Sequence, residues 1–376
     1  MAVTIKEVNG KSDLKKFVKF PIGLYKDSPY YVPSLVLDEM ATLDTKKNPA
    51  FDFCDMQLFL AYRDNKIVGR IGAIINHKAN EIWNQKRVRF GFVDFINDNE
   101  VVDALFKAAA DWGKSKGLTE IHGPMGFTDL DHEGLLIEGY DRISTMSTTY
   151  SHPYYREQVE RLGFEKEVDW NEYYIPVPKA VPERHQRIAN IVKNKYGLKI
   201  LKFENLKQIT PYVDKLFNLL NIAYKPLYGF SPLTKKQIDY YVKIYVPLLR
   251  WDVVTIIIKE DTDEVVGFGI GVPNLSRALQ KSRGKFFPFG WYHLLRDLKG
   301  KNNPVLDLMI VGIAPEYQGK GVNAMIFSDF IPSAYRCGFK FAESNPELEM
   351  NNKVASLWEG FDAEHHKTRR AFKKKI

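Results

Sequence analysis

Residues 308–327, LMIVGIAPEYQGKGVNAMIF, place an apolar strand-like run, a Pro-Glu-Tyr turn, a glycine-bearing loop and an apolar helix-like run in immediate succession. That order builds an anion site. Backbone N–H groups at a helix N-terminus point outward with the helix dipole behind them, and a pyrophosphate is the kind of charge they hold well. Within Gln318-Gly319-Lys320-Gly321-Val322-Asn323, the two glycines remove Cβ atoms that would keep phosphate oxygens at a distance, and Gly321 is free to adopt positive φ. Lys320 adds a mobile cation beside the same anion. Asn323 tolerates unusual backbone angles and suits a helix cap.

The elements that must carry this loop repeat along the chain. Each half opens with a short strand, two helices and two strands joined by a turn. In the first half these are TIKEV, DLKKFVKFPIGLY, SLVLDEMATL and MQLFLAYRDNKIVGRIGAII, turning at Asp64-Asn65. In the second they are LKILKF, ITPYVDKLFNLLNIAY, KKQIDYYVKIYVPLL and DVVTIIIKEDTDEVVGFGIGV, turning around Asp261 to Asp263. Each half continues with a fourth strand and a long helix closing at Gly117 or Gly338, residues suited to the left-handed position after a helix. A fifth strand (EIHGPM, FKFAES), a fourth helix and a last pair of strands complete the plan. The reading is an internal duplication within an α/β (mixed α+β sheet) class: 1–178, a helical connector at 179–197, and 198–376.

Five features join the glycine loop: VGIAPEY before it, AES at 342–344, Glu349 and Asn351 ahead of the fourth helix, and KTRRAF near the end. With these the second half resembles the GNAT acyltransferase superfamily, and the whole chain resembles tandem GNAT proteins in which a degenerate copy precedes an intact one. The resemblance implies two twisted mixed sheets flanked by helices, with acetyl-CoA or another acyl-CoA as co-substrate. It implies that the fourth and fifth strands splay, and that Val311, Gly312 and Ile313 offer backbone partners to the pantetheine arm. Gln318 to Asn323 and Asn351 complete the expected cofactor set. It also implies attack of an amine on the thioester with a carboxylate as base, for which Glu343 and Asp307 are the candidates. Strand alternation would put Asp307 on the face of Met309 and Val311. The family's usual general acid, a tyrosine seven residues after the matching asparagine, is replaced here by Trp358, which has no proton to give in a useful range; water or Tyr335 would have to serve. In the first half, Asp94, Asp98, Glu100 and Asp103 stand where phosphates would sit, so residues 1–178 are expected not to bind CoA.

Composition fits a globular protein, with 45% hydrophobic and 13% aromatic residues. No apolar run reaches the roughly 18 residues a membrane span needs, and the first residues lack the zones of a signal peptide, so a cytoplasmic location is expected. Cys54 and Cys337 offer neither a disulfide framework nor a metal site, and each reads as a buried small hydrophobe. His132, with Asp129, Asp131 and Glu133, diverges too much in direction to suggest a metal. Of the net charge of +8, residues 364–376 contribute six bases minus one acid, or +5, which reads as a solvated, frayed end. No nucleic-acid signature accompanies it. The insertion at 276–303, SRALQKSRGKFFPFGWYHLLRDLKGKNN, sets aromatics among bases; it could line a pocket, lie on an anionic membrane surface, or pack under the other domain. The leading function is an acyl-CoA-dependent N-acyltransferase acting on a small-molecule or amino-terminated amine. The alternatives are a CoA-binding pseudoenzyme, or a tandem-GNAT aminoacyl transferase, against which the retained CoA loop argues.

Overall fold

The computed structural model describes residues 2–299, 303–351, 356–358 and 360–376. The chain divides into two compact units. Unit 1 comprises Met1–Asn171, Ser276–Leu294 and His366–Ile376, and unit 2 comprises Glu172–Leu275 and Leu295–His365. Segments 276–294 and 366–376, which chain order alone would give to the second domain, thus cluster with the first.

Unit 1 begins with β1 (Thr4–Glu7), α1 (Gly10–Leu24), α2 (Val36–Thr42), β2 (Cys54–Arg63) and β3 (Lys66–Asn76). Asp64 and Asn65, both at positive φ, make the tight β2–β3 turn. It continues with α3 (His77–Ile82), β4 (Arg87–Phe95), α4 (Asn99–Ser115), β5 (Glu120–Gly123), β6 (Leu135–Glu138), α5 (Tyr154–Arg161) and the first half of β7 (Glu165–Pro176). Its sheet runs β1-β2-β3-β4-β5, and β4 and β5 pair in parallel from Arg87↔Glu120 to Arg89↔His122. One apolar cluster, with Phe90, Phe95, Leu105 and Phe106, fills the α4 side, and a second, with Phe17, Leu58, Leu60 and Ile74, fills the α1 side.

Unit 2 adds α6 (Glu183–Tyr196), β8 (Leu198–Leu201), α7 (Leu206–Ala223), α8 (Lys235–Tyr245), β9 (Val254–Lys259) and β10 (Glu264–Pro273). After α9 (Ser276–Ser282) and α10 (Gly290–Lys299) come β11 (Val305–Ile313), α11 (Val322–Arg336), β12 (Phe341–Ser344) and β13 (Glu347–Leu348). Its sheet runs from the second half of β7 through β12-β11-β10-β9-β8, with β11 and β12 parallel. Glycines let α11 come close to β10: a Cβ on Gly269 would stand 2.7 Å from Ile326, and one on Gly271 would stand 3.0 Å from Phe330.

The basic tail is a buried strand, not a frayed end. β14 (Glu364–Lys375) pairs antiparallel with β5 from Phe372↔Gly123 to Lys375↔Glu120. Lys367 and Arg369 are fully buried, and Arg370 forms a two-pronged pair with Asp169 at 2.7 and 2.8 Å. Alternation hides this strand in the sequence because its inward positions are cations whose partners are distant in the chain.

Beyond Arg89↔His122, the gap that opens between β4 and β5 is filled by the chain itself. Met125 donates its N–H to the Phe90 carbonyl at 2.8 Å, and Arg89 and Asn76 donate to the carbonyls of Gly126 and Phe127. Gly91 makes room, since a Cβ there would meet the Met125 carbonyl oxygen at 2.3 Å. Gly91→Val should therefore lower stability by about 2 kcal/mol, as an overpacked site does. Urea unfolding of the full chain checks this; a change under about 0.5 kcal/mol would mean that the loop is loosely held.

Candidate functional site

In unit 2 the same gap is left to side chains. β11 and β12 stay paired only as far as Leu308↔Ser344. Ala314 donates to the Val266 carbonyl on the β10 side, so by strand alternation Gly312 turns its backbone to β10, while Val311 and Ile313 turn theirs to the open edge. Of the three residues nominated for pantetheine, these two present donors and acceptors there. The Tyr224 hydroxyl caps the Val311 carbonyl at 3.1 Å, Gln318 caps that of Ile313 at 3.1 Å, and Asn345 caps that of Met309 at 2.6 Å. Met309 is a bulge: Ile310 pairs with Ile270 and Leu308 with Gly271. The expectation that Asp307 shares a face with Val311 fails there, because the extra residue breaks the alternation.

The glycine loop leads from this edge into α11. Gly319 and Gly321 have φ of 72° and 85°. A Cβ on Gly319 would meet nothing within 4 Å, while one on Gly321 would stand 2.7 Å from Ile188 on α6. Gly321 thus answers to packing as well as to backbone angle. It caps α11 with no side-chain hydrogen bond, so Asn323 is a residue of the first turn and not the cap. Lys320 lies over the rings of Tyr196 and Tyr317 at 5.7 and 5.9 Å. Val322 is buried, and the Asn351 N–H closes a turn onto the Leu348 carbonyl.

Helix α4 of unit 1 presents the opposite case. Asp98 caps it by accepting from the Val101 N–H at 3.1 Å, and is itself gripped by both arms of Arg63. Glu100 pairs with Arg63, Asp103 with Arg161, and buried Asp94 with Arg70 and the Tyr25 hydroxyl. At Phe95, which matches Ile313 in the duplicated plan, the N–H and the carbonyl are held by Tyr155 and Tyr154.

Carboxylates gather in the middle of the unit 2 sheet. Asp307 and Glu343 are direct cross-strand partners, only 1% and 3% exposed, and Asn274 donates to Asp307 at 2.7 Å. Fully buried Glu172 on β7 brings a carboxylate oxygen within 4.8 Å of one on Glu343. Leu306, Leu308 and Ala342 alternate with these acids onto the α11 side. There they line an open apolar cleft with Phe330, Ile331 and Trp358, with a cavity volume of about 50 Å³.

Trp358 sits in a short 3-10 turn; the remainder of the expected fourth helix, 352–355 and 359, lies outside the described residues. Its indole N–H donates to both oxygens of Glu347, at 3.0 and 3.1 Å. Burial pushes the Glu347 carboxyl up to about 7, against hydrogen bonds from Trp358 and Ser344. Tyr335, by contrast, is exposed on the last turns of α11, at the end away from the glycine loop. His132 bonds the Met146 carbonyl, Asp131 accepts from the Thr128 N–H, and burial pushes Asp129 up to about 7. Cys54 is buried, with its thiol pushed up to about 12, whereas Cys337 is only half-buried.

Solved structures similar to this chain include tandem and GCN5-related acetyltransferases. A tandem GNAT protein from the clavulanic acid biosynthesis pathway matches 99% of this chain and 98% of its own, with a TM-score of 0.57 at 10% identity. The chain has the tandem GNAT fold. A GCN5-related N-acetyltransferase from Sphaerobacter thermophilus matches 99% of the chain and 95% of its own, with a TM-score of 0.51 at 10% identity. Among curated proteins, protein YghO of Escherichia coli is 29% identical over 97% of this chain and 94% of its own length. The bacterial ceramide synthase of Caulobacter vibrioides is 27% identical over 98% and 96%. No family model matches.

Glu347, Glu172, Tyr224 and Asn345 carried no signal in the sequence, since each gains its place from strands that meet only in the fold. The shift of Glu347 has a testable sign. Its folded carboxyl titrates near 7 against an ordinary 4.5, so its contribution to stability is full below about pH 4.5 and is lost as pH rises through 7. Glu347→Gln should then stabilise the chain by on the order of 2 kcal/mol at pH 8 and leave it unchanged near pH 4.5. Urea unfolding at both pH values tests this; equal effects at the two would refute it.

Proposed function

We propose that the chain is an acyl-CoA-dependent N-acyltransferase, with 198–376 as the catalytic copy and 1–178 as a copy that does not bind CoA. The observation that carries this reading is the edge of β11 beyond Leu308↔Ser344, covered by the side chains of Tyr224 and Gln318, leading through the glycine loop into the N-terminus of α11, which no side chain caps. Gln318, Gly319, Lys320, Gly321, Val322 and Asn323 hold the pyrophosphate, Asn351 flanks it, and Val311 and Ile313 pair with the pantetheine amides. Gly312, turned to β10, contributes space. The acyl chain lies in the apolar cleft, on the α11 face of the strands.

The amine approaches from the face of Glu343 and Asp307 and meets the thioester where β11 and β12 part. Its nitrogen attacks the carbonyl carbon, the C–N bond forms, and the carboxylate side takes the nitrogen's proton. The C–S bond then breaks, and the departing thiolate takes a proton from Glu347. A carboxyl that titrates near neutrality is suited to that donation. Trp358 orients it, so a proton donor stands close to the slot where the tyrosine is missing. The name of the Caulobacter relative supports a long acyl group and a long-chain amino alcohol as acceptor.

Turnover of palmitoyl-CoA and acetyl-CoA with sphinganine, and with a hydrophilic polyamine for comparison, tests this reading. We expect amide formation from palmitoyl-CoA and sphinganine. Lys320→Glu should weaken CoA binding about tenfold, since it reverses a charge beside the phosphates, and Glu343→Gln should lower kcat at least about tenfold. Transfer to no amine, or CoA affinity unmoved by Lys320→Glu, would defeat the proposal.

A further inference from the structure

The aromatic insertion does not pack beneath anything at its tip. Five large apolar side chains, Phe286, Phe287, Phe289, Trp291 and Tyr292, are exposed within seven residues, with Phe287 and Phe289 at 68% and 69%. Soluble surfaces rarely gather apolar side chains so densely unless something covers them.

The loop that carries them is built to be rigid. Its root is held within unit 1, where Gln280 donates to the carbonyls of Pro29 and Tyr31, Ser276 donates to that of Ser144, and the Val36 N–H bonds that of Gly284. The tip closes on itself. Trp291 donates its backbone N–H to the Phe286 carbonyl, and its indole N–H bonds the Pro288 carbonyl at 2.8 Å. Gly290 permits this closure, because a Cβ there would meet the Lys285 carbonyl oxygen at 1.9 Å. Such a loop presents its rings without first paying to order them.

Charge identifies what covers it. Arg277, Lys281, Arg283 and Lys285 are exposed in the same segment, and residues 276–294 contain no acid. Two copies meeting through this face would bring like charges together, whereas an anionic lipid surface complements them. Tryptophan and tyrosine with phenylalanine are the side chains that settle at a bilayer's headgroup boundary. No helix among the described residues is long and apolar enough to cross a membrane. We propose that residues 285–292 form an interfacial anchor that docks this protein on an anionic lipid bilayer. The anchor stands whatever acyl group is transferred, because its residues lie outside the candidate site.

Co-sedimentation of the full chain tests it, with vesicles of phosphatidylcholine containing about one third phosphatidylglycerol and with pure phosphatidylcholine. We expect partitioning at least about tenfold stronger on the anionic vesicles, weakening as salt rises. Phe287→Ser with Phe289→Ser should cost about tenfold on the same vesicles, and Lys281→Glu with Lys285→Glu should abolish the preference for anionic lipid. All four side chains are exposed, so unchanged unfolding midpoints would show that the fold is intact. Equal pelleting of wild type and the serine variant would overturn the anchor. So would a concentration-dependent dimer, abolished by the serine pair, in a protein that does not pellet with vesicles.

Discussion

A strand that outruns its parallel neighbour leaves a row of N–H and C=O groups that something must satisfy. Both units meet this constraint at the same point, and they meet it differently. Unit 1 answers with its own covalent chain: Met125 docks on Phe90, and Tyr154 and Tyr155 hold Phe95. Unit 2 answers with single side chains, Tyr224, Gln318 and Asn345, each capping one carbonyl. A bound loop leaves no edge for a ligand to pair with, whereas a side-chain cap can rotate aside.

The helix ends follow the same division. In unit 1 a carboxylate occupies the N-terminal donors of α4 and is itself locked by Arg63. A phosphate would have to displace an ion pair to reach them. In unit 2 a glycine caps α11, and the neighbouring lysine rests on two tyrosine rings. One plan thus yields a closed copy and an open one through a handful of substitutions, and the fold around them is little altered.

Much of this was legible in the sequence. The element order, the Asp64-Asn65 turn and the position of the glycine loop follow from local pattern, because each is decided by neighbours in the chain. Asp94, Asp98, Glu100 and Asp103 were expected to repel phosphate as free charges, whereas the structure employs all four in ion pairs and fills the gap beside Phe90 with the chain's own loop. What could not be read depends on distant pairing. The tail was mistaken for a solvated end because Asp169 and β5 lie far from it in sequence. The bulge at Met309 redirected Asp307, and Trp358 became a partner of Glu347 through a strand that only the fold brings near. The aromatics of 285–292 were harder still, since burial and exposure give the same composition.

Calorimetric titration of the full chain with CoA tests the central claim most directly, because it counts usable edges. The account predicts one site per chain, retained when unit 1's Phe90–Met125 closure is left intact. Two equivalent sites per chain would contradict it, and so would a single site that survives reversal of charge at Lys320 with its affinity unchanged.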